Sequence, residues 1–257
     1  MIEASGASAP RVALVTGASS GLGSAIAVAL GQLGWPVAIG ARRAEKLAET
    51  ARRVEEAGGK VFAHALDVTD DESVDVFVTA AEKNLGPIDV AVSNAGIARA
   101  GKLPELPVGD VQAELDTNLL GPMRIVRRLL PAMRERSSGD LCFVTSLNAV
   151  LPRTFQLGYT ASKAGLEAAV RVLQMELEGS GVRASIVRPG PAHSEMGQDW
   201  SPDVFQQLMA EWQHWGSLRH LNMMQPEEVA AAVVTTVTAP PGVTLEVQIT
   251  PTKPPTD

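Results

Sequence analysis

Thr16-Gly17-Ala18-Ser19-Ser20-Gly21-Leu22-Gly23 joins an apolar run at residues 12–16 to a helical pattern at residues 21–33. Glycine lets the chain turn here without a Cβ penalty. It also lets backbone N–H groups come close to a pyrophosphate, whose charge a helix N-terminus favours. Gly17, Ser19, Ser20, Gly21, Leu22 and Gly23 are therefore candidate phosphate contacts. The spacing is GxxxGxG, not the GxGxxG of the common dinucleotide fingerprint. A glycine-rich turn can also be a plain strand-to-helix connection, so the decision rests on what surrounds it.

Short apolar runs alternate with longer helical patterns: residues 12–16 then 21–33, 37–40 then 43–57, and 61–66 then 70–85. That rhythm belongs to a parallel sheet covered by helices on both faces. Further strand candidates at residues 90–93, 141–146, 184–187 and 244–249 bring the sheet to about seven strands. Thr69 and Glu72 have capping-box spacing ahead of Val74, Phe77 and Val78, which places a helix start there. No Gly/Pro/Ser-rich linker or internal repeat divides the chain. The expectation is one α/β domain over residues 11–250, with flexible tails at residues 1–10 and 251–257.

With 257 residues, 45% hydrophobic and 20% charged, the chain can bury a substantial core. A formal net charge of -7 opposes binding to nucleic acid or an anionic lipid surface, so any phosphate recognition has to be local. Cys142, the only cysteine, lies in the apolar run Leu141-Cys142-Phe143-Val144 and reads as a buried thiol. No stretch reaches the roughly 18 apolar residues of a membrane span, and residues 1–10 lack the order of a secretory signal. A cytoplasmic protein with no nucleic-acid or membrane partner is expected. His64, His214 and His220 lack metal-ligand spacing, and no metal is expected.

The second strand runs into Arg42 and Arg43, where an NAD-preferring site would place a carboxylate against the ribose hydroxyls. Arg42 is the candidate partner of an NADP 2′-phosphate. Arg43 stays open between that role and a solvated first turn of helix.

Tyr159-Thr160-Ala161-Ser162-Lys163 completes an ordered set with the turn at residues 16–23, Asp67-Val68, Asn94-Ala95-Gly96, Asn118, Ser146 and Pro189-Gly190. On these residues the sequence resembles the classical short-chain dehydrogenase/reductase family over nearly its whole length. The resemblance implies a single doubly wound Rossmann domain, a small-molecule carbonyl or alcohol as substrate, and a homodimer or homotetramer. With Arg42 it implies NADP(H) as the cofactor. Asp67 and Val68 would lie on the adenine side, although Asp67 could instead cap the next helix. Asn94, Ala95 and Gly96 would lie under the cofactor, and Pro189, Gly190 and Ser194 would lie beside the nicotinamide.

Residue chemistry supports the same roles. A tyrosine titrates at about 10, so moving a proton near neutrality requires a positive charge close to its phenolate. Lys163, four residues on, lies on the same helical face. By resemblance, Lys163 would also bond the nicotinamide ribose, Ser146 would hold the substrate oxygen, and Asn118 would help hold a water in the proton path. Tyr159 would donate or accept the proton. Each residue taken singly has a plain structural use; the ordered set does not.

The family often carries threonine at the position of Ser194, glycine after Ser146 where this chain has Leu147-Asn148-Ala149, and Asp-Gly-Gly near residues 250–253. His193 reads as a loop residue. Residues 195–224 hold three of the four tryptophans and several methionines, a pattern that fits a substrate lid over a medium or large hydrophobic ligand, with Met196 and Trp200 as candidate contacts. The plainer reading is a helical hairpin packed on the domain or a partner. The whole is read as an NADP(H)-dependent carbonyl–alcohol oxidoreductase, with a non-catalytic NADP(H)-binding sensor or scaffold as its alternative.

Overall fold

Strands that are apolar at every position need neighbours on both edges and cover on both faces. In the computed structural model, which describes residues 10–218 and 220–252, β1 (Ala13–Thr16), β2 (Val37–Ala41), β4 (Val90–Ser93) and β5 (Gly139–Val144) are buried along their whole length. With β3 (Val61–Ala65), β6 (Val182–Pro189) and β7 (Glu246–Ile249) they form a seven-stranded parallel sheet in the order 3-2-1-4-5-6-7. The half-exposed strands β3 and β7 are its edges. The expected α/β Rossmann architecture is the one found. The expected tails fall outside the described residues apart from 10, 251 and 252.

Helices cover both faces. Phe77 of α3 (Asp71–Leu85), Leu129 of α5 (Gly121–Glu135) and Leu166 of α6 (Leu157–Glu176) fill one apolar layer. Ile26 of α1 (Gly21–Gln32), Leu47 of α2 (Ala44–Glu56) and Val233 of α8 (Pro226–Val237) fill the other. The chain winds outward from β1 to β3, then returns to β4 on the other side of β1. The crevice between β1 and β4 is thus the switch point where such sheets hold ligands. Two more helices, α4 (Val108–Leu115) after β4 and α7 (Pro202–His214) after β6, flank the carboxyl end of the sheet.

Three local outcomes differ from the sequence reading. Asp70, not Thr69, caps α3: its carboxylate accepts from the Glu72 N–H at 3.0 Å, and its charge suits the positive end of the helix. The Thr69 hydroxyl donates instead to Asp67. β5 stops at Val144, and Ser146 caps a 3-10 turn at Leu147–Ala149 by accepting from the Asn148 N–H. Among the described residues, 195–224 hold one helix, α7, and not a hairpin of two.

Glu167 and Arg188 form a buried pair that ties α6 to β6, with Nε–Oε1 at 2.7 Å and Nη2–Oε2 at 2.6 Å. Burial alone would raise the Glu167 pKa, but hydrogen bonds from Arg188 and Thr145 hold it below the usual carboxylate range. Arg188→Met leaves this carboxylate in the interior with only Thr145 and the half-exposed Arg171 as partners, and is expected to cost about 2–3 kcal/mol in urea denaturation. Arg188→Met with Glu167→Leu is expected to recover most of that loss. A single variant as stable as the parent would show that Arg171 or water satisfies the carboxylate in its place.

Candidate active site

The glycine turn is built by close backbone approach. Gly17 has φ +68°, and a Cβ there would meet Ala95 Cα at 2.6 Å. A Cβ on Gly23 would run into the Gly17 carbonyl and the Asn94 amide, the latter at 2.5 Å. Asn94 locks the crossing by donating to Thr16 O and Gly17 O, while Thr16 Oγ1 accepts from the N–H groups of Asn94 and Ala95. No side chain caps α1 at Ser20, so its first amides face the crevice unclaimed by a side chain.

A cavity of about 830 Å³ opens beyond this turn. Apart from Asn118, every residue predicted for the site lines it, from Gly17 through Arg42, Asp67, Val68 and Gly96 to Ser146, Tyr159, Lys163, Ser194, Met196 and Trp200. His193 is exposed and does not.

At the basic edge, Arg43 rather than Arg42 reaches across the turn, with Nη2 2.8 Å from Ser19 Oγ and 2.7 Å from Ser20 Oγ. Glu195 sits on the same edge, accepting from Ser20 Oγ, Arg43 Nη1 and Lys46 Nζ. Bonds from Lys46, Arg43 and Ser20 hold its carboxyl down to about 2. Arg42 is exposed and exerts its charge on Asp67. Asp67 accepts from the Thr69 N–H and hydroxyl, bonds that outweigh burial and keep its pKa low.

Deeper in, α4 and α5 join through a π-turn at Asp116–Leu120, a distortion that recurs at functional sites. Asn118 lies in that turn, fully buried. Its amide pairs with both backbone groups of Ile97 and donates to Ser162 Oγ, which in turn donates to Tyr159 O. Asn118 therefore stands behind the cavity as a brace for α6. Lys163 Nζ donates to Val144 O at 3.0 Å and is nearly sealed from water. A Cβ on Gly96 would come within 3.6 Å of that ammonium and 3.2 Å of Asn118 Oδ1, so a glycine leaves them room.

Besides Glu195, two further charged residues without a local signal in the sequence lie at the inner part of the site. Glu114 is fully buried, with Oε1 accepting from the Arg99 N–H and Oε2 lacking a partner among the described residues. A side chain on Gly158 would collide with that carboxyl. Burial raises the Glu114 pKa. Arg153 lines the cavity with its guanidinium over the Trp212 ring, 4.6 Å from the centroid.

The family model described as short chain dehydrogenase matches residues 11–204. The chain belongs to the short chain dehydrogenase family. It is 39% identical over 180 residues, 70% of its own length, to ketoacyl reductase HetN of Nostoc sp., and it spans 63% of that relative's length. Among solved structures it resembles an NADPH-bound variant of actinorhodin polyketide ketoreductase, with TM-score 0.83, 30% identity and coverage of 94% of this chain and 96% of that one. A second is an alcohol dehydrogenase from the archaeon Thermococcus sibiricus in complex with 5-hydroxy-NADP, with TM-score 0.79, 30% identity and coverage of 96% and 99%.

In this short chain dehydrogenase the protein's own electrostatics set a starting point. Burial raises the Tyr159 pKa, and the Ser146 hydroxyl beside it pulls the other way; Glu114 adds to the rise and Arg153 opposes it. Burial pushes the Lys163 ammonium down to about 8, against a pull upward from Glu167. Measured against an ordinary lysine at 10.5, that displacement corresponds to about 3 kcal/mol lost in the folded state below pH 8. The penalty shrinks as pH rises from about 8, because the folded state sheds the proton first, and it vanishes above 10.5 where both states are neutral. Lys163→Met is accordingly expected to stabilise the ligand-free protein by about 1–3 kcal/mol at pH 7, allowing for the lost bond to Val144. The gain should fade toward pH 10.5 in urea titrations. No gain at pH 7 would mean that the ammonium is hydrated.

Proposed function

We propose that this chain is an NADP(H)-dependent oxidoreductase that interconverts a carbonyl and an alcohol, with Tyr159 as the proton-transferring residue. The observation that carries the reading is the convergence of Ser146, Tyr159 and Lys163 on one cavity with the glycine turn. The residues fit the cofactor. Gly17 and Gly23 leave space that a Cβ would fill, the first amides of α1 are free of a capping side chain, and Arg42, Arg43 and Lys46 supply positive charge for a 2′-phosphate. Asp67 and Val68 border the adenine side, Asn94 to Gly96 the middle, and Pro189, Gly190 and Ser194 the nicotinamide side. The ketoreductase and alcohol dehydrogenase relatives, each solved with an NADP-type ligand, favour the same choice.

When bound, the cofactor supplies or accepts the hydride. The chain orients and neutralises. Ser146 holds the carbonyl oxygen, and Tyr159 delivers the proton to it or takes it from the alcohol. Lys163, charged at neutral pH, favours the phenolate and bonds the nicotinamide ribose. Asn118 is a positioning residue that fixes α6 and the 97 loop around the proton path. Residues 195–224 form a lid whose Met196, Trp200, Phe205 and Trp212 offer an apolar surface to a medium or large hydrophobic substrate. The reading extends to a cytoplasmic protein that works as a homodimer or homotetramer. No helix among the described residues is long and apolar enough to cross a membrane.

Tyr159→Phe should lower kcat by about a hundredfold or more for NADPH-dependent carbonyl reduction, while a fluorescence titration still shows NADPH binding. Turnover near that of the parent would remove Tyr159 from its role. NADPH binding with no turnover by the parent, across aliphatic, aromatic and acyl carbonyls, would favour a sensor. Replacing Arg42 or Arg43 with Asp should weaken NADPH about tenfold or more and leave NADH little changed. Equal effects on the two cofactors would overturn the assignment to the 2′-phosphate.

A further inference from the structure

Arg153 is a cation with no counter-ion among the described residues, set in a largely apolar wall. It follows the 3-10 turn that Ser146 caps and lines the cavity with Leu208, Met209, Trp212, Leu218 and Met223. Its guanidinium carbon lies over the Trp212 ring, whose indole N–H donates to Thr154 O at 2.9 Å. The partners stop short of satisfying it. Nη2 donates to Ser217 O at 3.3 Å, Nε is sealed from water with no acceptor, and Nη1 makes no hydrogen bond to a described residue. No described carboxylate stands within salt-bridge distance.

The contrast with the other enclosed arginines is informative. Arg183 pairs with Asp140, and Arg188 pairs with Glu167. A guanidinium removed from water is costly unless a carboxylate or comparable anion meets it. The nearby buried acid does not serve: Glu114 takes a backbone N–H and has its pKa raised by burial. Arg153 and the Tyr159 hydroxyl are close enough to influence each other's charge, so an anion on Arg153 would sit within one small molecule of the proton-transferring group.

We infer that Arg153 receives a carboxylate carried by the substrate, so that the substrate is an amphiphilic oxo or hydroxy acid. This rests on the oxidoreductase reading above. Its apolar body lies against α7, its carboxylate takes the terminal nitrogens of Arg153 in the planar fork that suits a guanidinium, and its carbonyl or hydroxyl meets Ser146 and Tyr159. The chemistry is that already stated: in reduction, hydride adds to the carbonyl carbon, the C=O π bond opens, and the Tyr159 proton goes to oxygen. Arg153 touches no reacting atom and sets specificity.

The test compares a medium-chain oxo acid with its methyl ester as substrates for the parent, Arg153→Gln and Arg153→Lys. Binding of the saturated acid and its methyl ester to the NADP⁺-loaded parent is followed in parallel by tryptophan fluorescence. The parent is expected to favour the acid about ten- to a hundredfold in kcat/KM and in binding, as befits hydrogen bonds to a charged group. Arg153→Gln should collapse that ratio, mainly through the KM of the acid, and Arg153→Lys should restore part of it. Equal losses on acid and ester would make Arg153 a brace for α7 and overturn the proposal, as would a parent that binds the ester as tightly as the acid. An acid preference in binding without turnover of either compound would uphold the Arg153 site and count against the oxidoreductase reading. The parent binding comparison stands even if a variant fails to fold.

Discussion

An ammonium held out of water at the carboxyl end of an interior strand organises the centre of this molecule. Lys163 is 4% exposed, and a charge in such a place has to be met by dipoles at short range. Val144 O comes from the end of β5, which must stop there to turn its carbonyl inward. Gly96 omits its side chain so that the loop after β4 can pass close by. The π-turn at Asp116–Leu120 brings Asn118 into that loop and onto Ser162, one position before the lysine. One turn further along α6, Glu167 contributes a negative charge that Arg188 holds in place. Strand end, loop, helix distortion and buried ion pair all converge on the surroundings of this one charge.

The crevice beside it works on the opposite sign. Its floor is backbone amide, its rim carries Arg42, Arg43 and Lys46, and the chain as a whole is negative at -7. Attraction for an anion therefore exists only at short range, where these groups overcome the overall charge. Within the protein the anion on that rim is its own: Glu195 gathers Ser20, Arg43 and Lys46 at the point where residues 195–224 begin. A phosphate arriving at the same groups competes with that carboxylate, which links the charge at the rim to the first residue of the segment over the cavity.

What could be read from the sequence was what local geometry decides. The turn at residues 16–23 and the Tyr159–Lys163 interval depend on neighbours a few bonds away, and the alternation of apolar runs sets the sheet regardless of loop detail. Neighbouring residues competing for one role were harder. Asp70 and Thr69 both suit a helix cap, and the choice went to the residue whose backbone leads directly into α3, while Thr69 bonded Asp67. Arg42 and Arg43 differ by one step at the start of α2, which turned the second across the glycine loop and left the first exposed. Glu114, Glu195 and Arg153 gave no local signal. Their meaning comes from contacts with Gly158, Arg43 and Trp212, far away in the chain, and a charged residue in a polar-looking stretch reads as solvated until the fold encloses it.

The way α7 is attached bears on how such a site admits a ligand. Only Leu208 of that helix is fully buried, while Phe205 is 51% exposed. The remaining ties are polar: Lys102 to Glu211, Arg99 to Asp199 just ahead of the helix, and the indole N–H groups of Trp200 and Trp212 to the carbonyls of Ala98 and Thr154. Exposed ion pairs of this kind contribute about 0–1 kcal/mol each, whereas the layers under α1 and α6 rest on many buried side chains. Segments held by few buried contacts open locally at a fraction of the cost of unfolding the core. The sheet and α6 can thus keep Lys163 and Tyr159 in fixed register while α7 lifts, because the forces that hold these two residues and the forces that hold α7 are of different kinds and reside in different parts of the chain.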